Sequence, residues 1–143
     1  MDFARIIEFT GNHLILVLAF TGTLGALLYT EISRRFGGLR SVGPMEATQL
    51  SNRENAVFLD VRDDGEYRGG HIPEAVHIPL KQLTERAGEL EKFKGVPVIA
   101  YCRTGTRTGR IGVILKKHGF ENVYNLSGGI AAWQSANLPT TTK

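Results

Sequence analysis

Residues 9–30, between Glu8 and Glu31, run for 22 positions without a formal charge when His13 is neutral. Wound as a helix, such a run reaches about 33 Å at ~1.5 Å per residue, the thickness of a bilayer's hydrocarbon core of ~30 Å. Its densest part, Leu14 to Tyr29, holds 12 apolar residues in 16, with Gly22 and Gly25 among them. Glycine is common in membrane helices. A buried helix of a soluble protein or a cleaved signal peptide has similar composition. Against cleavage, Asp2 and Glu8 stand beside Arg5 ahead of the run, and no small-x-small site follows it. The run therefore predicts a membrane anchor over residues 1–33. Arg34, Arg35 and Arg40 follow it closely, so by the positive-inside rule a single-pass chain keeps its C-terminal part in the cytoplasm. Gly37-Gly38 to Gly43-Pro44 predicts a flexible basic linker over 34–43, and residues 44–140 form one domain of ordinary size.

In that domain short apolar runs alternate with helical patterns. The predicted strands are Ala56–Asp60, Ala75–Ile78, Val96–Tyr101 and Val123–Asn125. The predicted helices are Pro44–Ser51, Asp63–Arg68, Leu80–Lys92, Arg107–His118 and Ile130–Ser135. Such alternation predicts an α/β fold with a mainly parallel sheet flanked by helices. Sites in these folds lie at the C-terminal ends of the strands.

Cys102, the only cysteine, falls one residue beyond the strongest predicted strand. It excludes intramolecular disulfides and cysteine-rich metal clusters drawn from this chain alone. The following residues, Arg103, Thr104, Gly105, Thr106 and Arg107, join the strand to a helix. A turn of this kind aims backbone N–H groups inward and has a helix N-terminus behind it, which makes an anion cradle. Gly105 gives the backbone the freedom the turn needs. A thiolate at Cys102 is stabilised there and becomes a nucleophile. An inert buried cysteine is the alternative. Residues 92–120 carry seven basic side chains and no acidic one, so a small anion is the expected ligand. The overall net charge of +3 is too small to mark a nucleic-acid surface. No metal-ligand spacing, Walker loop or dinucleotide fingerprint is present, and no cofactor is expected.

Several segments together resemble the rhodanese (sulfurtransferase) family. They are Asp60-Val61-Arg62 with Glu66-Tyr67, Gly70-His71-Ile72-Pro73-Glu74-Ala75, Ile78-Pro79-Leu80, the Cys102 to Arg107 loop, Gly119-Phe120 with Asn122-Val123, and Leu126 to Ile130 with Trp133. They span nearly all of residues 44–136. With its apolar N-terminus, the chain is similar to membrane-anchored single-domain rhodaneses of the bacterial inner membrane. The resemblance implies that Cys102 takes a sulfane sulfur from a small anionic donor such as thiosulfate, holds it as a persulfide, and passes it to a thiol or protein acceptor. The loop from Arg103 to Arg107 would hold the charged sulfur and attract the donor, and Asp60 and Arg62 would support the loop. His71, His77 and His118 are expected to be framework or surface residues, Gly128-Gly129 to shape a turn near the loop, and Trp133 to pack as core.

Two departures matter. Thr108-Gly109-Arg110 stands where the family usually has a hydroxyl residue and then small residues, which puts Arg110 at the loop rim. The spacing Cys102 to Arg107 is Cys-x4-Arg, one residue shorter than the Cys-x5-Arg cradle of rhodanese-like phosphatases and arsenate reductases. The shorter loop suits a single sulfur better than a tetrahedral oxyanion. A rhodanese-fold membrane adaptor with incidental catalysis is the rival reading, and retention of the cysteine argues for the enzyme.

Overall fold

The computed structural model describes residues 11–37 and 39–143. The charges expected at Asp2, Arg5 and Glu8 lie outside the described residues. The chain divides into two units, Met1–Gly37 and Gly38–Lys143. In the first, helix α1 (Leu14–Gly37) contains an 18-residue window, Leu14–Glu31, long and apolar enough to cross a membrane. Its threonines suit apolar surroundings, because Thr21 and Thr23 donate their hydroxyls to the carbonyls of Val17 and Ala19 at 2.8 Å. Neither hydroxyl is left as an open donor, as a bilayer requires.

The second unit is built on five parallel strands: β1 (Arg40–Val42), β2 (Val57–Asp60), β3 (Val76–His77), β4 (Val98–Tyr101) and β5 (Val123–Leu126), in the order β1-β5-β4-β2-β3. The α/β expectation holds, and every strand pairing within this sheet is parallel. Between the strands run α2 (Pro44–Glu54), α3 (Asp64–Arg68), α4 (Leu83–Arg86) between two 3-10 segments, and α5 (Thr108–Lys117), with α6 (Gly129–Ser135) after the last. Strand β1 departs from the sequence-based expectation. It falls in the stretch expected to be linker, but Arg40, Ser41 and Val42 pair with Tyr124, Asn125 and Leu126. Three residues carry no periodicity to read, and only the neighbour β5 makes them a strand.

Alternate side chains of each strand enter two separate cores. On one face Leu59, Val98, Ala100 and Cys102 pack with Ile111 and Leu115 of α5. On the other, Phe58, Ile99 and Tyr101 pack with Ile130 and Trp133 of α6 and with Ala47 of α2. Helix α5 buries Thr108, Ile111, Gly112 and Leu115, spaced for one helical face. At position 112 the helix lies so close to Leu39 that a Cβ there would be 2.6 Å from its Cδ2 and would displace that side chain.

The single helix expected over Leu80–Lys92 is instead a 3-10 turn (Leu80–Gln82), the one-turn α4, and a second 3-10 segment (Ala87–Phe93). From Ala87 the inward residues recur every third position, at Ala87, Leu90 and partly buried Phe93. That period is the 3-10 repeat rather than 3.6.

Candidate active site

Strand β4 ends at Tyr101 and places Cys102 at the C-terminal edge of the sheet, where the residue is 1% exposed. The chain then turns through Arg103, Thr104, Gly105, Thr106 and Arg107 into α5. Gly105 takes φ +85°, in the left-handed region, and its N–H donates to Sγ of Cys102 at 3.0 Å. The Thr108 hydroxyl donates to the Gly105 carbonyl at 3.1 Å and fixes the end of the turn on the first residue of α5.

What orients the turn is the start of α6. The N–H groups of Ile130 and Ala131 donate to the carbonyls of Cys102 and Arg103 at 3.0 and 3.2 Å. No cis peptide occurs among the described residues. In a trans peptide the N–H points opposite to the carbonyl, so the amides of Arg103 and Thr104 point away from α6, into the turn. With the Gly105 amide they form the cradle, and none of it depends on a side chain. The approach of α6 requires glycine, because Gly129 has φ +59° and a Cβ there would collide with the Cys102 carbonyl and lie 2.6 Å from the Arg103 carbonyl carbon. Gly128-Gly129 thus shapes the turn under the loop. Thr104 and Thr106 stand outside the cradle with hydroxyls 3.4 Å apart, and Arg103 and Arg107 are exposed at its rim.

Asp60 and Arg62 lie at the end of β2, the strand next to the one that carries the loop. Asp60 pairs in register with Tyr101, the residue before the cysteine. Its carboxylate accepts Arg62 Nε at 3.0 Å, Nη2 at 2.6 Å and the Arg62 backbone N–H at 2.9 Å. Arg62 Nη2 also donates to the Gly70 carbonyl at 2.8 Å, and its guanidinium lies 5.6 Å from the centre of the Tyr101 ring. Burial disfavours the Arg62 charge, but the hydrogen bond and charge of Asp60 outweigh it and hold its pKa above the ordinary value. These groups are saturated by one another and reach no reacting atom.

Tyr101 carries a role that the sequence reading misses. Its phenol oxygen accepts the Ile72 N–H at 3.1 Å and ties β4 to the Gly70–Ala75 segment. Burial first, and then the Asp60 charge, push its pKa well above the ordinary value. A tyrosine closing an otherwise apolar strand is the available signal, since a buried phenol needs a partner. The histidines expected to be framework are used in that way. His71 is buried, its Nδ1 is 2.9 Å from the Tyr67 carbonyl, and its ring stacks on Tyr67 at 3.7 Å. His77 stacks on the same ring at 4.1 Å, with Nε2 2.9 Å from the Arg62 carbonyl. Trp133 is core, its indole N–H donating to the Pro139 carbonyl at 2.9 Å.

Two hollows flank the loop on the α5 side, one of about 630 Å³ and one of about 380 Å³, and both are walled by Leu80, Arg107 and Arg110. A third, of about 330 Å³ between Ser51, Asn55, Pro73, Glu74 and Phe93, opens at the other end of the strands. Cys102 does not line it, so it has no part in the chemistry of the thiol.

A parallel α/β sheet that presents one thiol in an amide-lined turn at its C-terminal edge defines the class of protein by its architecture. Within that class the assignment is specific: the family model described as "Rhodanese-like domain" matches residues 44–136, and the chain belongs to this family. It is 36% identical over 136 residues to the uncharacterized protein YibN of Escherichia coli, covering 94% of this chain and 95% of YibN. It is 33% identical to the thiosulfate sulfurtransferase GlpE of Coxiella burnetii, over 71% of this chain and 92% of GlpE. Among solved structures, a rhodanese-related protein of Thermoplasma volcanium matches with TM-score 0.64 and 25% identity, over 73% of this chain and 99% of that one. The chain thus has a rhodanese fold and relatives that include a thiosulfate sulfurtransferase.

Proposed function

We propose that this protein is a membrane-anchored sulfurtransferase whose nucleophile is Cys102. The observation that carries the proposal is the Gly105 N–H aimed at Sγ at 3.0 Å in a turn whose amides face inward. Amides so placed stabilise negative charge on sulfur, whether on the resting thiolate or on the outer atom of a persulfide. The thiolate attacks the sulfane sulfur of a donor such as thiosulfate, the activity in the name of the GlpE relative. A bond forms between Sγ and that sulfur, the donor's own sulfur–sulfur bond breaks, and sulfite leaves with the electron pair. Arg103 and Arg107 at the rim draw the anionic donor in. An acceptor thiolate then attacks the outer sulfur and returns the electron pair to Sγ, so no second cysteine and no cofactor are needed.

The anchor reading rests on the apolar window of α1. Arg34, Arg35 and Arg40, beyond the apolar window Leu14–Glu31, favour a cytoplasmic domain at a bacterial inner membrane. The chemistry is tested by intact mass after incubation with thiosulfate. The wild type gains one sulfur and Cys102→Ser gains none; a wild type that reacts with alkylating reagents but takes up no sulfur defeats the proposal. Orientation is tested separately, by protease added to intact spheroplasts, from which the domain is expected to be protected.

A further inference from the structure

Four lysines gather at the end of the sheet opposite the Cys102 turn, where strands β4 and β5 begin. Lys92 and Lys94 precede β4, and Lys116 and Lys117 close α5. The two segments meet, because Lys94 Nζ lies 5.8 Å from the centre of the Phe120 ring and the Val98 N–H donates to the Asn122 carbonyl at 2.8 Å. All four lysines are exposed. Lys94 is closed by Glu91 at 3.1 Å. Among the described residues Lys92, Lys116 and Lys117 have no acidic partner, whereas Arg40 and Arg86 each have one. The helix dipole favours cations at the end of α5, but it gives no reason for Lys92 or Lys94. Val113, one turn ahead of Lys116 and Lys117, is 46% exposed and sets an apolar side chain beside them.

The chain enters the domain beside this cluster. Leu39, the residue before β1, packs on α5 at Gly112, one turn ahead of Lys116. It is eight residues beyond Glu31, the end of the apolar window, a reach of about 28 Å at full extension. A domain of about 100 residues has a radius of gyration of about 13 Å, so a tether this short keeps it within about its own width of a bilayer. Anionic headgroups attract clusters of four or more Lys and Arg near a membrane, over a Debye length of ~8 Å, and a short tether keeps the effective concentration of that surface high. From this placement we infer that Lys92, Lys94, Lys116 and Lys117 seat the domain on anionic phospholipid headgroups. The inference rests on the anchor reading of the apolar helix. Arg34 and Arg35, in the joining stretch, add to the cations. The contact leaves Cys102, at the other end of β4, open to water. An anionic surface repels a dianion such as thiosulfate, and this seating holds the catalytic turn away from it. Donor and acceptor then reach the thiol from solution rather than along the bilayer.

The test uses the full chain, one copy per lipid nanodisc, in bilayers of phosphatidylcholine alone or mixed with phosphatidylglycerol. Lysines are acetylated with a water-soluble N-hydroxysuccinimide ester, and the rate at each is read by mass spectrometry of its peptides. Lys92, Lys116 and Lys117 are expected to react about fivefold more slowly in the anionic bilayer. Molar salt, which cuts the Debye length to ~3 Å, should abolish the difference. Lys81, near the Cys102 turn, should react alike in both bilayers. The double variant Lys116→Gln/Lys117→Gln, which leaves the core untouched, should reduce the protection of Lys92 to less than about twofold. Equal rates in the two bilayers overturn the inference, as does slowing that persists in phosphatidylcholine or in detergent, which would mean that protein covers the cluster. Protection of Lys81 with the four lysines free overturns it too. A chain that stays in the discs with no lysine protected keeps its anchor and loses only this contact, whereas a chain washed from vesicles by alkaline carbonate loses the anchor reading and this inference with it.

Discussion

Two corners of the same sheet edge, the Cys102 turn and the Asp60–Arg62 pair, are register neighbours built on opposite principles. At the Asp60 corner the charges are inside, 0% and 5% exposed, and each is consumed by the other or by a backbone carbonyl. At the Cys102 turn the only buried functional atom is a sulfur, the cradle is made of backbone amides, and the arginines stand outside. The difference separates frame from chemistry. A saturated ion pair has nothing left to give a substrate, whereas amides fixed by α6 remain directed at whatever charge the sulfur carries. Side-chain substitutions at the first corner should therefore act on stability, and backbone-directed substitutions at the second should act on sulfur transfer.

The largest expected effect tests the first half of that contrast. Arg62→Met leaves the Asp60 carboxylate buried without its partner and should cost about 3–5 kcal/mol of folding stability, read by urea unfolding. Activity should fall only as the folded fraction falls. Full stability with lost activity would instead move Arg62 into the chemistry. Gly129→Ala tests the second half. A left-handed backbone at a residue with a side chain costs about 1–3 kcal/mol, and the new Cβ meets the Cys102 carbonyl and forces the turn to shift. Since a displacement of about 1 Å can cost a reaction ~100-fold, sulfur loading in the folded fraction should drop about that much. Equal loading by folded wild type and folded variant would show that α6 does not set the cradle.

Much of the fold and of the site is legible in the residues. Val98 to Tyr101 is apolar enough to read as a buried strand, Gly105 marks the turn after it, and Gly128-Gly129 marks the turn beneath. The Asp60-Val61-Arg62 tripeptide and the Cys-x4-Arg spacing carry the family. What stays hidden is set by tertiary contact. Strand β1 exists because β5 offers it an edge, and the 3-10 segment at Ala87–Phe93 exists because Leu90 and Phe93 must reach one core. The inward direction of the Arg103 and Thr104 amides is equally unreadable, since it is fixed by hydrogen bonds from Ile130 and Ala131, more than 25 residues further along the chain. Tyr101 escapes notice because its neighbours make it look like one more core aromatic.

Tyr101 belongs to both corners, and the smallest predicted effect shows to which it contributes more. Tyr101→Phe removes the acceptor of the Ile72 N–H and should cost about 1 kcal/mol near neutral pH, with sulfur loading kept. The effect has a pH signature of known sign. Burial and the Asp60 charge hold the proton on Tyr101 in the folded protein above the pH at which an unfolded tyrosine releases it, about 10. Below that pH both states carry the proton and this stabilisation is fully present. As pH rises past about 10 the unfolded chain loses the proton while the folded one keeps it, so stability falls by up to about 1.4 kcal/mol per pH unit. Phenylalanine has no such proton. The advantage of wild type over Tyr101→Phe, followed by urea unfolding from pH 8 to beyond 10, should therefore shrink above about pH 10 and then reverse. Parallel curves would mean that the phenol is not held in the frame with Asp60, and loss of sulfur loading at neutral pH would place it with the cradle.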